Sequence, residues 1–415
     1  MPATISRRDL LRRGGALALT TGAATLAPLG RLPLVPPGRL SKGGIAAGPM
    51  LKCISLGGPG PLRSDSDPDD YRLWGNREFI RESQTSWVKL WVSWLDLQGE
   101  LAAAPATKAR SWDQLDEAPH GQSWIRRLDG QLSAVKADGL RAIVTIYQAF
   151  PRWASGATEP DPVTGTKPPE QRIPIDLSPD GPWGWFVGYL CSRYRKGGDG
   201  NPDRAWVDAI EICNEPNLLW WPQEGVGQAV GKMIQTAARI SSSLDGPDIL
   251  APGSSDFPDR RQRNPRGLVA TDWKSFTREV LESLRGFRSD VPIHWSHHNF
   301  NDVKRFREPS RAEEVIELLA TEGWVNHVKP LWLTEGGFNL QPDPESLRRK
   351  AQQARLIERN FDRMRNIPQV YMWTQHTIAD KAGNKFKSGL RDDFLEGKGP
   401  GPRRPAWQVW RGLPE

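Results

Sequence analysis

From about Met50 onward, short apolar runs alternate with longer segments of helical spacing. The runs are Leu51–Leu56, Trp87–Trp94, Arg141–Tyr147, Val207–Asn214, Asp248–Pro252, Val291–Ser296, Pro330–Glu335 and Gln369–Gln375, and each reads as a buried strand. Between them, Val226, Val230, Met233, Ala237, Ile240 and Leu244 form one stripe repeating at three and four residues, and Leu347, Ala351, Ala354, Ile357, Phe361 and Met364 form another. Helical patterns also cover Arg72–Gln84, Gln122–Ala137, Trp183–Lys196, Asp272–Arg288 and Arg311–Gly323. Strand alternating with helix builds βαβ units and a parallel sheet, and eight such strands predict an α/β fold of the single (β/α)8 TIM-barrel type. A doubly wound open sheet is the competing arrangement, but no G-x-G-x-x-G opens the first helix to give it a nucleotide-binding form.

Pro/Gly-rich stretches at Ser155–Pro174, Gly197–Pro202 and Gly397–Pro405 sit between these elements and read as loops. Ser155–Pro174 follows the third strand, on the barrel face where active sites form, and is placed to wall a cleft. No linker divides the chain after residue 50. The expected organisation is therefore a leading segment, 1–45, and one barrel domain, 46–415, with elaborated loops.

Composition adds little to the fold but changes the reading of the ends. With 415 residues, 38% of them hydrophobic and 25% charged, the chain can bury a sizeable core, which excludes a collagen-like, coiled-coil or wholly disordered protein. The net charge of +7 invites a polyanionic partner, yet residues 1–45 hold seven basic residues (Arg7, Arg8, Arg12, Arg13, Arg31, Arg39, Lys42) against Asp9 alone. The remainder is close to neutral, so no nucleic-acid partner is expected. Arg7-Arg8 followed by the uncharged run Gly14–Gly30 resembles the twin-arginine export signal of bacteria. Its expected partner is the twin-arginine export machinery, and its expected destination is the cell envelope or the exterior. Alanine-rich sites near Ala27 and near Ala47 both suit cleavage. No uncharged run reaches the ~20 residues of a membrane span, so no stable span is expected. Cys53, Cys191 and Cys213 are too few and scattered for a disulfide framework or a zinc site and read as packing residues.

Two strand ends carry the chemistry. The fourth reads Ile210-Glu211-Ile212-Cys213-Asn214-Glu215-Pro216-Asn217 and the seventh Leu331-Trp332-Leu333-Thr334-Glu335-Gly336-Gly337. In a parallel barrel the C-terminal ends of different strands converge on one mouth, which brings Glu215 and Glu335 toward each other. Paired carboxylates are what glycosidic cleavage requires: one protonates the leaving oxygen, and the other attacks or shields an oxocarbenium-like centre.

On these motifs the chain resembles the clan A retaining glycoside hydrolases. Asn214-Glu215-Pro216-Asn217-Leu218 with Trp220-Trp221, Thr334-Glu335-Gly336, and Phe150-Pro151-Arg152-Trp153-Ala154-Ser155-Gly156 look most like family 39, which includes β-xylosidases, α-L-iduronidases and bacterial exopolysaccharide hydrolases. The resemblance, spanning roughly residues 50–375, implies that Glu215 is the acid/base, Glu335 the nucleophile and Asn214 the partner of the sugar 2-hydroxyl. It also implies that Lys89 stands where many relatives carry an active-site Arg, and that Trp373 matches the strand-eight Trp beneath the bound sugar. Three positions depart from the pattern. Phe300, in Ser296-His297-His298-Asn299-Phe300, replaces the Tyr that usually bonds the nucleophile, and Cys213 and Gly336 stand where family 39 often has Trp.

Alternation on the sixth strand gives His294 and His298 one face and His297 the other, and no helical His-Glu-x-x-His accompanies them, so His298 reads as a structural or sugar-binding side chain and no metal or cofactor is expected. Among 19 tryptophans, Trp153, Trp220, Trp221 and Trp373 lie at or beyond strand ends and are expected to line sugar subsites. Trp87, Trp185 and Trp332 read as core. The sequence thus predicts an exported, cofactor-independent retaining O-glycosidase with a carbohydrate substrate, most simply a β-linked poly- or oligosaccharide. The alternatives are a carbohydrate-binding barrel without catalysis and a transglycosylase using the same carboxylates.

Overall fold

The computed structural model describes residues 49–56, 77–98, 119–147, 150–155, 172–198, 205–220, 223–257, 262–263, 269–324, 331–381, 386–395 and 399–415. The twin-arginine segment, Trp221 and most of Ser155–Pro174 lie outside them.

Eight parallel strands close into a barrel: β1 (Leu51–Ser55), β2 (Trp87–Ser93), β3 (Arg141–Tyr147), β4 (Ala209–Glu211), β5 (Asp248–Leu250), β6 (Ile293–His298), β7 (Leu331–Gly336) and β8 (Val370–Gln375). Each pairs with its neighbours in chain order, and Leu51↔Met372 is part of the register that joins β1 to β8. Eight helices follow the strands in turn: α1 (Arg77–Glu82), α2 (Pro119–Ala137), α3 (Pro182–Tyr194), α4 (Val226–Ser243), α5 (Trp273–Leu284), α6 (Arg311–Thr321), α7 (Leu347–Arg365) and α8 (Pro405–Gly412). This is the expected (β/α)8 barrel, with one of these eight helices unforeseen: α8 begins at the last residue of the stretch Gly397–Pro405 read as a loop, and shorter helices at Trp94–Gln98, Arg152–Ser155, Pro216–Leu219 and Phe300–Lys304 lie in the connections. Proline at the first helical position supplies the fixed φ a helix start needs, so there it opens an element instead of ending one.

Helix starts follow ordinary capping chemistry. Asp272 accepts from Ser275 N ahead of α5, and Ser310 and Glu313 form a reciprocal capping box ahead of α6. The α4 stripe is buried at Val226, Val230, Met233 and Ala237. On α7, Ala354, Ile357, Phe361 and Met364 are buried, but Leu347 is 82% exposed because the first residue of the helix lies beyond the surface it packs on.

The barrel lumen is layered by the two-residue period of its strands. Its floor is apolar, with Cys53, Trp87, Ile143, Ala209, Leu250, Trp332 and Met372 in mutual contact. Two residues further along come Lys89, Thr145, Glu211, Ser296 and Thr334, all fully buried. The mouth lies above them. Trp87 and Trp332 are core as expected, meeting edge to face at 5.2 Å between ring centroids.

Candidate active site

Strand β4 stops at Glu211, shorter than the run Val207–Asn214 predicts, because the backbone leaves the sheet. Cys213 (φ 69°) and Glu215 (φ 43°, ψ 50°) both take the left-handed conformation, which costs a non-glycine residue roughly 1–2 kcal/mol each. Tethers hold the turn. Glu215 N donates to Gly253 O at 2.9 Å, and Asn217 ties to the next strand's loop through Ser255 O, Thr271 O and Ser255 N. Asn217 is thus a brace, and Glu215 is the residue its brace aims into the mouth.

Strand β7 reaches the same mouth by a different device. Against β6 and against β8 it carries one extra residue near Thr334, so the register jumps on both sides. Strict alternation would point Thr334 inward and Glu335 outward; the bulge turns both carboxylate and hydroxyl to the lumen. Gly336 follows, and a Cβ there would come within 2.3 Å of Trp373 Nε1 and 2.4 Å of Asn299 Oδ1, atoms that hydrogen-bond each other at 3.0 Å. A large side chain at Gly336 is incompatible with that bond.

Glu215 and Glu335 share one imidazole. His298 Nδ1 lies 2.9 Å from Glu215 Oε1 and 3.7 Å from Glu335 Oε2. Lys89 Nζ sits 3.0 Å from Glu335 Oε1 and 2.9 Å from Glu211 Oε2, and 4.6 Å from the ring centroid of Trp91. His376 Nδ1 approaches Glu335 Oε2 at 3.3 Å. Glu211, which the sequence reading passed over, is the anchor beneath: besides Lys89 it meets the hydroxyls of Thr145 (2.6 Å), Thr334 (2.6 Å) and Ser296 (2.7 Å), one from each of three further strands. Its signal was a carboxylate inside an apolar strand, a place where an ion is stable only when fully partnered.

These contacts fix the charges. Burial drives the Glu335 carboxyl upward, but His298, Lys89 and His376 together hold it well below the ordinary range. Burial works against the Lys89 ammonium too, and Glu211 and Glu335 outweigh it, raising its pKa. Burial likewise opposes a charged His298, and Glu335 with Glu215 tips it upward. Glu335 is therefore a buried carboxylate held in its ionised form, with the Lys89 ammonium at one oxygen and two imidazoles near the other, while the Glu215 side chain keeps 16% of its surface exposed. A His298 ring in this place requires glycine at 253, where a Cβ would fall 2.2 Å from Nε2.

Of the expected site residues, the structure brings together Glu215, Glu335, Lys89 and His298. Asn214 is beside them, paired with Gly253, its Oδ1 buried without a hydrogen-bond partner among the described residues. Of the expected tryptophans, the three among the described residues are elsewhere. Trp373 faces outward, fully buried between the barrel wall and Phe361 and Trp410, because Met372 takes the inward position on β8. Trp220 is fully buried against Phe150, and Trp153, half-buried, packs edge-on to Trp94. Trp91 is an aromatic beside Lys89 among the described residues, 8% exposed, with Nε1 donating to Ser55 Oγ at 3.3 Å.

A further carboxyl lies behind Glu215. Asp256, just beyond β5, is buried and accepts from Asn301 N at 2.5 Å; burial pushes its pKa up to about 7, partly offset by that bond, with Asp302 and Glu215 pushing the same way as burial. A raised carboxyl favours folding below its unfolded value of ~3.9, and that contribution fades as pH climbs through about 7. The midpoint of Asp256→Asn relative to wild type should therefore rise steadily from pH 4, where the two differ least, to pH 8, where the variant unfolds distinctly higher, by the equivalent of a few kcal/mol at most. Equal midpoints at pH 8 would show that Asp256 carries no such cost.

No protein-family model matches the chain, and no curated protein matches it. Solved structures do. A family 39 glycoside hydrolase from the gut symbiont Bacteroides cellulosilyticus WH2 aligns over 88% of this chain with a TM-score of 0.51 and 13% identity; the aligned part is 63% of that protein, so the chain spans less than two thirds of its length. A glucosidase from Croceicoccus marinus aligns over 87% of this chain and 70% of its own (TM-score 0.52, 15% identity), and a hyperthermophilic β-glucosidase over 87% and 99% (0.53, 11%). At such identities the likeness is one of fold: the chain has the (β/α)8 barrel that these glycoside hydrolases share.

Proposed function

We propose that the protein is a retaining O-glycoside hydrolase working by double displacement, with Glu335 as nucleophile and Glu215 as acid/base. The carrying observation is the shared His298 Nδ1. Glu215 Oε1 and Glu335 Oε2 cannot be farther apart than the 2.9 and 3.7 Å contacts laid end to end. That ceiling applies to one pair of oxygens; it admits the ~5–5.5 Å carboxyl separation of retaining pairs and falls toward the short end of the ~6.5–9.5 Å of inverting ones.

In the first step a Glu335 oxygen bonds to the anomeric carbon as the glycosidic C–O bond breaks, and the Glu215 proton passes to the leaving oxygen. In the second, Glu215 takes a proton from water, which displaces Glu335 from the sugar. The unpartnered Asn214 Oδ1 suits a sugar hydroxyl donor, and the Trp91 face suits the C–H side of a ring. A poly- or oligosaccharide with β linkages is the substrate class this reading carries.

The test is a screen against aryl β-glycosides, β-glucans, xylans, mannans, arabinans and bacterial exopolysaccharides, with proton NMR of the first-formed sugar. Retained anomeric configuration is expected; the opposite anomer would refute double displacement.

The leading segment belongs to the same reading: an enzyme of extracellular glycans must leave the cell, and Arg7-Arg8 would supply the address. Changing both to Lys should leave full-length protein in the cytoplasm, read by fractionation and blotting. Normal secretion of that variant would remove the twin-arginine assignment.

A further inference from the structure

We infer that His376, immediately after β8, is the positioning residue of the nucleophile, supplying from the eighth strand the contact that Phe300 cannot supply from the sixth. The inference rests on the reading of Glu335 as nucleophile. Glu335 divides its partners by oxygen: Oε1 has Lys89 at 3.0 Å, whereas Oε2 has, among the described residues, the imidazoles of His376 at 3.3 Å and His298 at 3.7 Å. His298 is already committed to Glu215 at 2.9 Å, so His376 is the nearer imidazole left for Oε2; its Nδ1 lies within ion-pair distance, is off the alignment of a hydrogen bond and is otherwise unpartnered among the described residues.

His376 is held as a positioning group must be. Its backbone N donates to Gly336 O at 2.7 Å, locking it one residue from the nucleophile's own position, and its carbonyl accepts from Ser388 Oγ at 3.0 Å. Its ring sits between two phenyl edges, Phe300 at 5.8 Å and Phe386 at 5.7 Å, and those two meet each other at 5.1 Å. Phe300 also touches His298 at 6.1 Å. The residue that looked like a lost hydroxyl is therefore the apolar wall that sets both imidazoles, and the contact to the carboxylate has moved from β6 to β8, the strand on the other side of β7. Phe300 in place of the family's Tyr therefore gives no support to a barrel that binds sugar without catalysis.

A side chain on Oε2 matters because the carboxylate must present one oxygen to the anomeric carbon without rotating. Loss of the contact should lower the rate of bond formation more than it weakens substrate binding.

Two measurements test this. The first needs no substrate: a double-mutant cycle in thermal unfolding of the full protein with His376→Leu, Glu335→Gln and both together. Pairing predicts that His376→Leu shifts the midpoint markedly in the wild-type background and much less when Glu335 is Gln; equal shifts in both backgrounds overturn the pairing. The second uses whichever aryl glycoside the wild type cleaves. His376→Leu should cut kcat by about 10- to 100-fold with KM within about twofold, and His376→Gln, which keeps an N–H donor, should recover most of the loss. Equal losses in Leu and Gln, or a change in KM alone, overturn the positioning role. If the wild type cleaves nothing, the hydrolase reading fails on its own while the cycle still decides the contact.

Discussion

Glu335→Ala should abolish turnover on every substrate, however good its leaving group, because no carboxylate remains to form the glycosyl-enzyme bond. A fall in kcat of roughly 10⁴-fold or more is expected. Glu215→Ala should behave differently. Natural glycans, which need a proton on the leaving oxygen, should slow by about 10²–10⁴-fold. Aryl glycosides with acidic phenols scarcely need that proton, so their first step should survive while the second stalls for want of a base. Azide then separates the roles. In Glu215→Ala it replaces the activated water and yields a glycosyl azide of retained configuration; in Glu335→Ala it enters from the vacated nucleophile side and yields the inverted azide. Opposite configurations would exchange the two assignments, and full activity of both variants on glycan would remove both residues from the chemistry.

Lys89→Met should be the most damaging single change to stability. It leaves the Glu211 and Glu335 carboxylates buried without their shared ammonium, a loss of about 3–5 kcal/mol when one member of a buried ion network is removed. Adding Glu211→Gln discharges the deeper carboxylate while preserving its shape, and should recover a substantial part of the lost stability. Denaturant unfolding of the single and double variants reads this directly. A Lys89→Met protein within about 1 kcal/mol of wild type would show that the network is neutral to folding, and a double variant no more stable than the single would locate the strain at Glu335.

The barrel was legible because its strands obey one rule, burial on both faces, and each becomes an uninterrupted apolar run. The two carboxylates were legible for a related reason: each interrupts such a run at its C-terminal end. What escaped the sequence were features that depend on register. Trp373 sits next to Met372, and a one-residue difference in phase decides which of them enters the lumen. Glu335 itself reaches the mouth only through an extra residue in β7, a bulge with no local signature. His376 and Glu211 join the site through partners on other strands, so spacing along the chain carries no trace of them. The α8 helix was hidden because the proline that begins it resembles the prolines of the loop before it.

The pairing of Leu51 with Met372 also sets a timetable for biosynthesis. A ribosome adds ~5–20 residues per second, so β1 waits tens of seconds for the strand that completes its hydrogen bonds. Throughout that interval the growing sheet is an arc with two open edges, each able to template association with another nascent chain. Any leading segment emerges at the start of this interval and the seam closes at its end. Dense translation of this message therefore favours aggregation, and slower initiation or chaperone cover of the β1 edge should raise the soluble yield without any change in sequence.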